Sequence, residues 1–331
     1  MMHDSNQDSA RNSSPTLWIV VPCFNEQEVL PITAPMFLQK MNELIDEGKV
    51  SEKSTVCFVD DGSKDDTWEI IQNLAATQKC CEGLSLSRNR GHQNALLAGL
   101  MEARLHADAV ISMDCDGQDD ISAIDEMLDK HRAGAEIVYG VRSSRDSDTA
   151  FKRMSAEAFY KLLDRMEVET VFNHADDRWM GSAALDALSE YKEVNLFLRG
   201  IGPQLGFKSD TVEYDRTARQ AGDTHYPFKK MCALAINGIT SLSIKPIRII
   251  SGLGIAFSLI GFAGIIWALV SLIIGSNVTG WVSLVCMISL LGGVQLLALG
   301  VIGEYIGKIY NETKQRPRFI ISETTFDESG K

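Results

Sequence analysis

Between Ile249 and Gly303 the chain carries no Asp, Glu, Lys or Arg, a run of 55 residues in a sequence that is otherwise 23% charged. A water-soluble domain does not sustain such a run, whereas about 20 apolar residues suffice to cross a bilayer. The run divides at Gly275-Ser276-Asn277-Val278-Thr279-Gly280. Ile249–Ile274 and Trp281–Gly303 are therefore read as two membrane spans joined by a tight link, which returns the chain to the side it left. Lys245 and Arg248 flank the entry; Lys308, Lys314, Arg316 and Arg318 flank the exit. The positive-inside rule then places both ends in the cytoplasm, as a multi-pass protein of the inner (plasma) membrane. A buried hairpin in a soluble protein is the competing reading; it does not explain two full-length spans with basic flanks.

The remainder has the composition of a folded chain, with a formal net charge of −12. That balance argues against nucleic acid as a partner. Seven cysteines, an odd number without paired CxxC elements, argue against a disulfide framework or a zinc site and fit free thiols in a reducing compartment. Residues 1–14 are polar, lack the apolar core of a signal peptide and read as a disordered lead-in. The expected organisation is a cytoplasmic domain over 15–223, a membrane-interface segment over 224–248, the hairpin over 249–303 and a cytoplasmic tail over 304–331.

Within 15–223, apolar runs at Leu17–Val21, Thr55–Val59, Leu84–Leu86, Ala109–Met113 and Ile137–Tyr139 alternate with helical patterns at Gln27–Ile45, Asp65–Ala76, Asn94–Leu105 and Ile121–His131. Strand and helix in alternation predict an α/β domain with a mostly parallel sheet. Ligands of such sheets bind at the carboxyl ends of the strands. The polar clusters fall there: Asn25-Glu26, Asp60-Asp61, Arg88-Asn89, Asp114 to Asp119, and Arg142. Neither GxGxxG after the first strand nor GxxxxGK[ST] occurs, which disfavours a dinucleotide-binding dehydrogenase and a P-loop ATPase.

Asp114-Cys115-Asp116-Gly117-Gln118-Asp119-Asp120 follows the fourth strand. Clustered carboxylates repel unless a cation sits among them, and oxygen ligands suit Mg²⁺ or Mn²⁺. A turn at Gly117 would bring Asp116 and Gln118 to one centre. Asp119 and Asp120 are also placed to cap a helix beginning at Ile121.

The segments Val21-Pro22-Cys23-Phe24-Asn25-Glu26, Val59 to Thr67 and Ser87-Arg88-Asn89-Arg90-Gly91-His92-Gln93, with the DxDxQ segment, resemble glycosyltransferase family 2. Gly140-Val141-Arg142, Lys152-Arg153, Phe159-Tyr160, Asp176-Asp177-Arg178, the run from Tyr214 to Gly222 and Gly303 to Tyr310 narrow the resemblance to its polyprenyl-phosphate glycosyltransferases, the group of bactoprenol glucosyltransferase and dolichol-phosphate mannose synthase. The resemblance spans about Leu17 to Ile321. It implies a GT-A, Rossmann-like nucleotide-sugar domain followed by two transmembrane helices. It further implies that Pro22, Glu26 and Asp61, with Asn25, Asp60 and Arg88 beside them, bind a nucleotide sugar. Asp114, Asp116 and Gln118 would serve the metal and diphosphate. Arg142, Lys152, Arg216 and Arg219 would hold the acceptor phosphate, and Asp114, Asp116 and Arg142 form the expected catalytic set. A homotetramer is implied as well, with Arg316–Ile321 pairing as a strand with a neighbour. Three departures touch the identity of the sugar: Thr224-His225-Tyr226 replaces a Ser-Lys-Tyr pattern, no Pro follows Gln118-Asp119, and a Trp is missing around Gly202 to Phe207.

A phosphate monoester with a second pKa near 6 is already largely ionised near neutral pH. It needs alignment and charge screening more than a strong base, and the planar fork of arginine matches phosphate oxygens. UDP-glucose is the first expectation for the donor, ahead of UDP-GlcNAc, UDP-galactose and GDP-mannose. A processive polysaccharide synthase would need a Gln-x-x-Arg-Trp motif; Ala175-Asp176-Asp177-Arg178-Trp179 lacks the Gln and reads as a decoy. An inactive membrane scaffold would not need the intact charge clusters. Residues 233–242, behind Lys229 and Lys230, read either as an amphipathic interfacial helix or as an ordinary packed one.

Overall fold

The computed structural model describes residues 14–142, 165–166, 174–215, 238–274 and 280–326. Of the segments singled out in the sequence, Lys152, Arg216, Arg219, 224–226 and 229–237 lie outside the described residues.

Eight strands form one sheet in the order β7-β5-β6-β4-β1-β2-β3-β8. They are β1 (Leu17–Cys23), β2 (Thr55–Asp60), β3 (Cys81–Leu86), β4 (Ala109–Ser112), β5 (Ile137–Arg142), β6 (His174–Gly181), β7 (Ser209–Tyr214) and β8 (Ile321–Thr324). Pairs β1·β2, β1·β4, β2·β3 and β5·β7 are parallel; β6 and β8 run antiparallel to their neighbours. The helices are α1 (Leu30–Asp46), α2 (Thr67–Thr77), α3 (His92–Ala103), α4 (Ala123–Arg132), α5 (Ser182–Ser189), α6 (Leu198–Gln204), α7 (Lys245–Ile274) and α8 (Trp281–Lys314).

Strand periodicity of two explains the layering. Leu17, Ile19 and Val21 of β1 join a core with Leu30, Phe37 and Met41 of α1 and Ile124 and Leu128 of α4. Trp18 and Val20 point the other way, to Ala95, Leu97 and Leu100 of α3, Leu185 of α5 and Ile201 of α6. The sheet is thus covered on both faces, which is why its central strands read as continuous apolar runs.

Several expectations need adjustment. β3 begins at Cys81, three residues before the expected Leu84. Gly83 fits inside the strand for want of a side chain: a Cβ there would lie 2.5 Å from Ile71 Cγ2 and 3.1 Å from Trp68 of α2. α4 begins at Ala123, and neither Asp119 nor Asp120 is its cap residue. Asp120 instead accepts from Ser122 N–H in the preceding turn, and Asp119 is buried.

α7 and α8 are long and apolar enough to cross a membrane, by windows at Lys245–Gly264 and Leu290–Lys314. α8 does not stop where the apolar run stops, at Gly303. Residues 304–314 contain no Pro or further charge-driven break, so the helix continues to Lys314 and ends at Gln315 in the left-handed conformation, two residues before Pro317. The tail strand is Ile321–Thr324 rather than Arg316–Ile321, and it pairs with β3 of the same chain. The described end of the supposed interfacial segment, 238–242, is helical and packs inward: Gly238 and Ile239 are buried, and Gly238 lies against Phe197.

Candidate active site

The carboxyl ends of β1, β2, β3 and β4 open on one edge of the sheet, and the loops after them are laced together. After β1, Asn25 takes a left-handed conformation (φ 55°), tolerable for Asn. Its N–H donates to Ser63 Oγ at 2.9 Å, and Lys64 N–H donates back to Asn25 Oδ1 at 3.0 Å. Glu26 N–H donates to Thr67 Oγ1 at 2.9 Å. Pro22 is buried beneath this loop, Glu26 is half-buried and Asn25 is exposed. Asn25 to Val29 line an open cleft of about 470 Å³ with Lys64 and Asp65.

The two aspartates at the end of β2, Asp60 within it and Asp61 just beyond, are both buried and have different duties. Asp60 accepts from Ser63 N–H and from Ser85 Oγ of β3, at 3.1 and 2.9 Å. Asp61 accepts from the N–H groups of Arg90 and Gly91, at 2.6 and 2.8 Å, and so fixes the loop after β3. Burial pushes the Asp61 carboxyl above its ordinary value; the two N–H bonds oppose this, and neighbouring Asp60 adds to it. Arg88, on that loop, is exposed. Gly62 sits between the loops at φ 65°, where a Cβ would come within 2.5 Å of the Arg88 carbonyl carbon.

After β4 the chain keeps its alternation. Cys115, Gly117 and Asp119 are buried, whereas Asp114, Asp116 and Gln118 are half-buried. Gly117 turns the backbone at φ 63°, and Gln118 N–H donates to Asp116 Oδ1 at 3.1 Å. Among the described residues no group of three or more His, Cys, Asp or Glu is arranged to hold a metal ion. Asp114, Asp116 and Gln118 offer two carboxylates and an amide, oxygen donors of the type that suits a hard cation taking its other ligands from phosphate and water. His92, the first residue of α3, brings Nε2 to 3.7 Å from Asp114 Oδ1. Arg142 ends β5, the next parallel strand along this edge.

Sequence reasoning passed over β6. Its antiparallel course carries Asp177 and Arg178 back to the same edge, Arg178 opposite Ser112 of β4 and Tyr139 of β5. Both are buried. Tyr214 donates to Asp177 at 2.6 Å; Arg178 donates to the Leu198 carbonyl at 2.9 Å and lies 5.4 Å from the centre of the Tyr139 ring. The available signal was three consecutive charged residues followed by Trp179 and Met180, a charge cluster inside a buried strand. Arg90, quoted in the sequence only as part of a motif, has a buried Nε with no hydrogen-bond partner among the described residues.

Comparison with known proteins follows the same outline. Residues 18–187 match the model of glycosyl transferase family 2. The chain is 49% identical over 319 residues to the glycosyltransferase YkoT of Bacillus subtilis (strain 168), covering 96% of this chain and 94% of that one. It is 40% identical over 305 residues to the prophage bactoprenol glucosyl transferase homolog of Escherichia coli (strain K12), covering 92% and 97%. It is 41% identical over 305 residues to the bactoprenol glucosyl transferase of Shigella phage SfX, again covering 92% and 97%. Among solved structures, glucosyl-3-phosphoglycerate synthase from Mycobacterium tuberculosis superposes with a TM-score of 0.42 at 18% identity, covering 72% of this chain and 82% of that one.

Proposed function

The chain belongs to glycosyltransferase family 2, and from that premise we propose that it transfers a hexose, glucose from UDP-glucose first, to undecaprenyl or another polyprenyl phosphate at the cytoplasmic face of a membrane. The observation that carries this reading is the route of the chain. It leaves the sheet, passes through two helices apolar enough to cross a bilayer, and returns to the same sheet as β8. Such a route would bring a sugar-transfer edge to the place where an insoluble acceptor resides. The names of the relatives in Escherichia coli and Shigella phage SfX support the choice of lipid and sugar.

In the proposed reaction an acceptor phosphate oxygen attacks the anomeric carbon, forming the new C–O bond. The bond from that carbon to the diphosphate oxygen breaks in line, and the nucleoside diphosphate leaves with its electron pair, inverting the configuration. The acceptor arrives ionised, so alignment and charge neutralisation are the enzyme's main tasks. Pro22, Asn25, Glu26 and Asp61 would cradle the nucleotide, with Asp60 holding the loop and Arg88 on the neighbouring one. Asp114 and Asp116, helped by Gln118, would hold Mg²⁺ or Mn²⁺, whose charge offsets that developing on the diphosphate. Arg142, Lys152, Arg216 and Arg219 would hold the acceptor phosphate. Lys245 and Arg248 in the first turn of α7, with Lys314 at the end of α8 and Arg316 and Arg318 beyond it, favour both termini on the cytoplasmic side.

The test uses full-length protein in detergent with undecaprenyl phosphate and a panel of radiolabelled nucleotide sugars. Wild type should label the lipid from one donor. Asp114→Asn and Asp116→Asn should each reduce the rate by at least about a hundredfold, as expected for loss of charge stabilisation, without lowering Tm. EDTA should inhibit and added Mg²⁺ or Mn²⁺ restore activity. Full activity of both variants would remove the assignment of these carboxylates, and no transfer from any donor would remove the reaction.

A further inference from the structure

Glu312, in the last turn of α8, faces the segment between α5 and α6. One carboxylate oxygen accepts from Val194 N–H at 2.9 Å, and the other from Asn195 N–H at 2.9 Å and Asn195 Nδ2 at 3.2 Å. Two successive backbone N–H groups converge on one anion, an arrangement that holds a loop in a single conformation. Arg318, beyond the helix end, donates to the Glu193 carbonyl at 3.3 Å and grips the same loop from the other side. Higher on α8, Tyr305 donates to the Ser243 carbonyl at 2.6 Å and Lys308 to Ser241 Oγ at 2.9 Å.

The gripped loop runs straight into α6, and its first residue, Leu198, makes two contacts with the candidate active site. Leu198 N–H donates to Gln93 Oε1 at 3.3 Å, and its carbonyl accepts from buried Arg178 at 2.9 Å. Gln93 follows His92, whose ring nitrogen stands 3.7 Å from Asp114. Four steps therefore join the end of the apolar helix to the carboxylate edge: Glu312 to Val194 and Asn195, along the chain to Leu198, across to Gln93 and Arg178, and on to His92 and Asp114.

We infer that Glu312 is a positioning residue, which through the 194–198 segment holds Gln93, His92 and Arg178 in register with the end of α8. Its effect on turnover rests on the transfer reaction proposed above; its effect on the loop does not. A carboxylate that only capped the loop would leave α3 and the sheet edge indifferent to its loss.

The test uses full-length protein in nanodiscs, as wild type, Glu312→Gln and Glu312→Ala. Gln is isosteric but turns an NH₂ towards one of the backbone donors, so it remains informative if the Ala variant fails to fold. Amide hydrogen exchange should accelerate across 194–198 and also at Asn94 and Ala95, the first hydrogen-bonded amides of α3, in the variants, more in Ala than in Gln. With undecaprenyl phosphate and UDP-glucose, kcat should fall about tenfold in Ala and less in Gln, while UDP binding stays within about twofold of wild type. Exchange confined to 194–195, or a loss of UDP binding as large as the loss of kcat, would overturn the inference. If wild type transfers no sugar, the proposed reaction falls and the exchange pattern alone decides the role of Glu312.

Discussion

At Gly62 the backbone turns from β2 towards the loop after β3 with φ 65°, and a methyl group would meet the Arg88 carbonyl carbon at 2.5 Å. Two separate costs meet there. A left-handed L-residue loses about 1–2 kcal/mol, and the atom it would strike belongs to a backbone held in place by Asp61 through Arg90 and Gly91. Gly62→Ala should therefore destabilise the protein by more than the conformational term alone and weaken nucleotide binding, read as a lower Tm together with a raised Kd for UDP. An unchanged Kd would mean that the two loops do not jointly shape the nucleotide site. The same residues show how much of the site was legible. Paired aspartates, a glycine and an arginine at strand ends are a readable pattern, because the carboxyl edge of a parallel sheet is where such groups collect. The division of labour within the pattern was not readable. That Asp60 bonds Ser85 while Asp61 bonds the next loop depends on which way each side chain leaves the strand end, and a string of letters does not carry that direction.

Helices are joined by charge as well as by packing. Asp125 of α4 receives Lys40 of α1 and Lys49 just beyond it. Burial tends to raise its carboxyl pKa, but the two lysines outweigh burial and hold it below its ordinary value of 3.8. A depressed folded pKa gives stability that is present above the unfolded value and is lost as pH falls through the folded one. Asp125→Asn should thus lower Tm at pH 7, and the gap to wild type should narrow as pH drops below about 4; a gap that stays constant into acid would exclude this tie. Whether an element could be foreseen depended on the strength of its local signal. β1, β2 and β4 are apolar runs between turn residues and were foreseen within a residue or two. β3 was truncated because Gly83 serves packing against α2, a tertiary demand that overrides strand propensity. β6 was missed because Asp177 and Arg178 are bonded to Tyr214 and Leu198, partners 37 and 20 residues away in sequence. The apolar run that ends at Gly303 bounds a candidate span and not the helix, which continues through Glu304 to Lys314.

The chain is closed on itself by its own tail. Ile321–Thr324 covers the outer side of β3, Glu323 accepts from Trp68 and Gln72 of α2, and Thr325 Oγ1 accepts from Gly83 N–H. Ending the chain at Phe319 would remove these bonds and leave β3 with open backbone donors and acceptors, a template for pairing with other chains. Such a protein should show a lower Tm and a shift to larger species on size exclusion; an unchanged elution profile and Tm would show the strand to be dispensable. The tail reaches its place only because α8 delivers it there. That helix is 34 residues long, about 51 Å at 1.5 Å per residue, against a hydrocarbon thickness of about 30 Å. It runs unbroken from its apolar stretch to Glu312, so its two ends are geared together like the ends of a shaft. Each residue advances the phase by about 100°. One residue added between Trp281 and Glu312 would therefore turn the bearing of Glu312 on the 194–195 loop by about 100°.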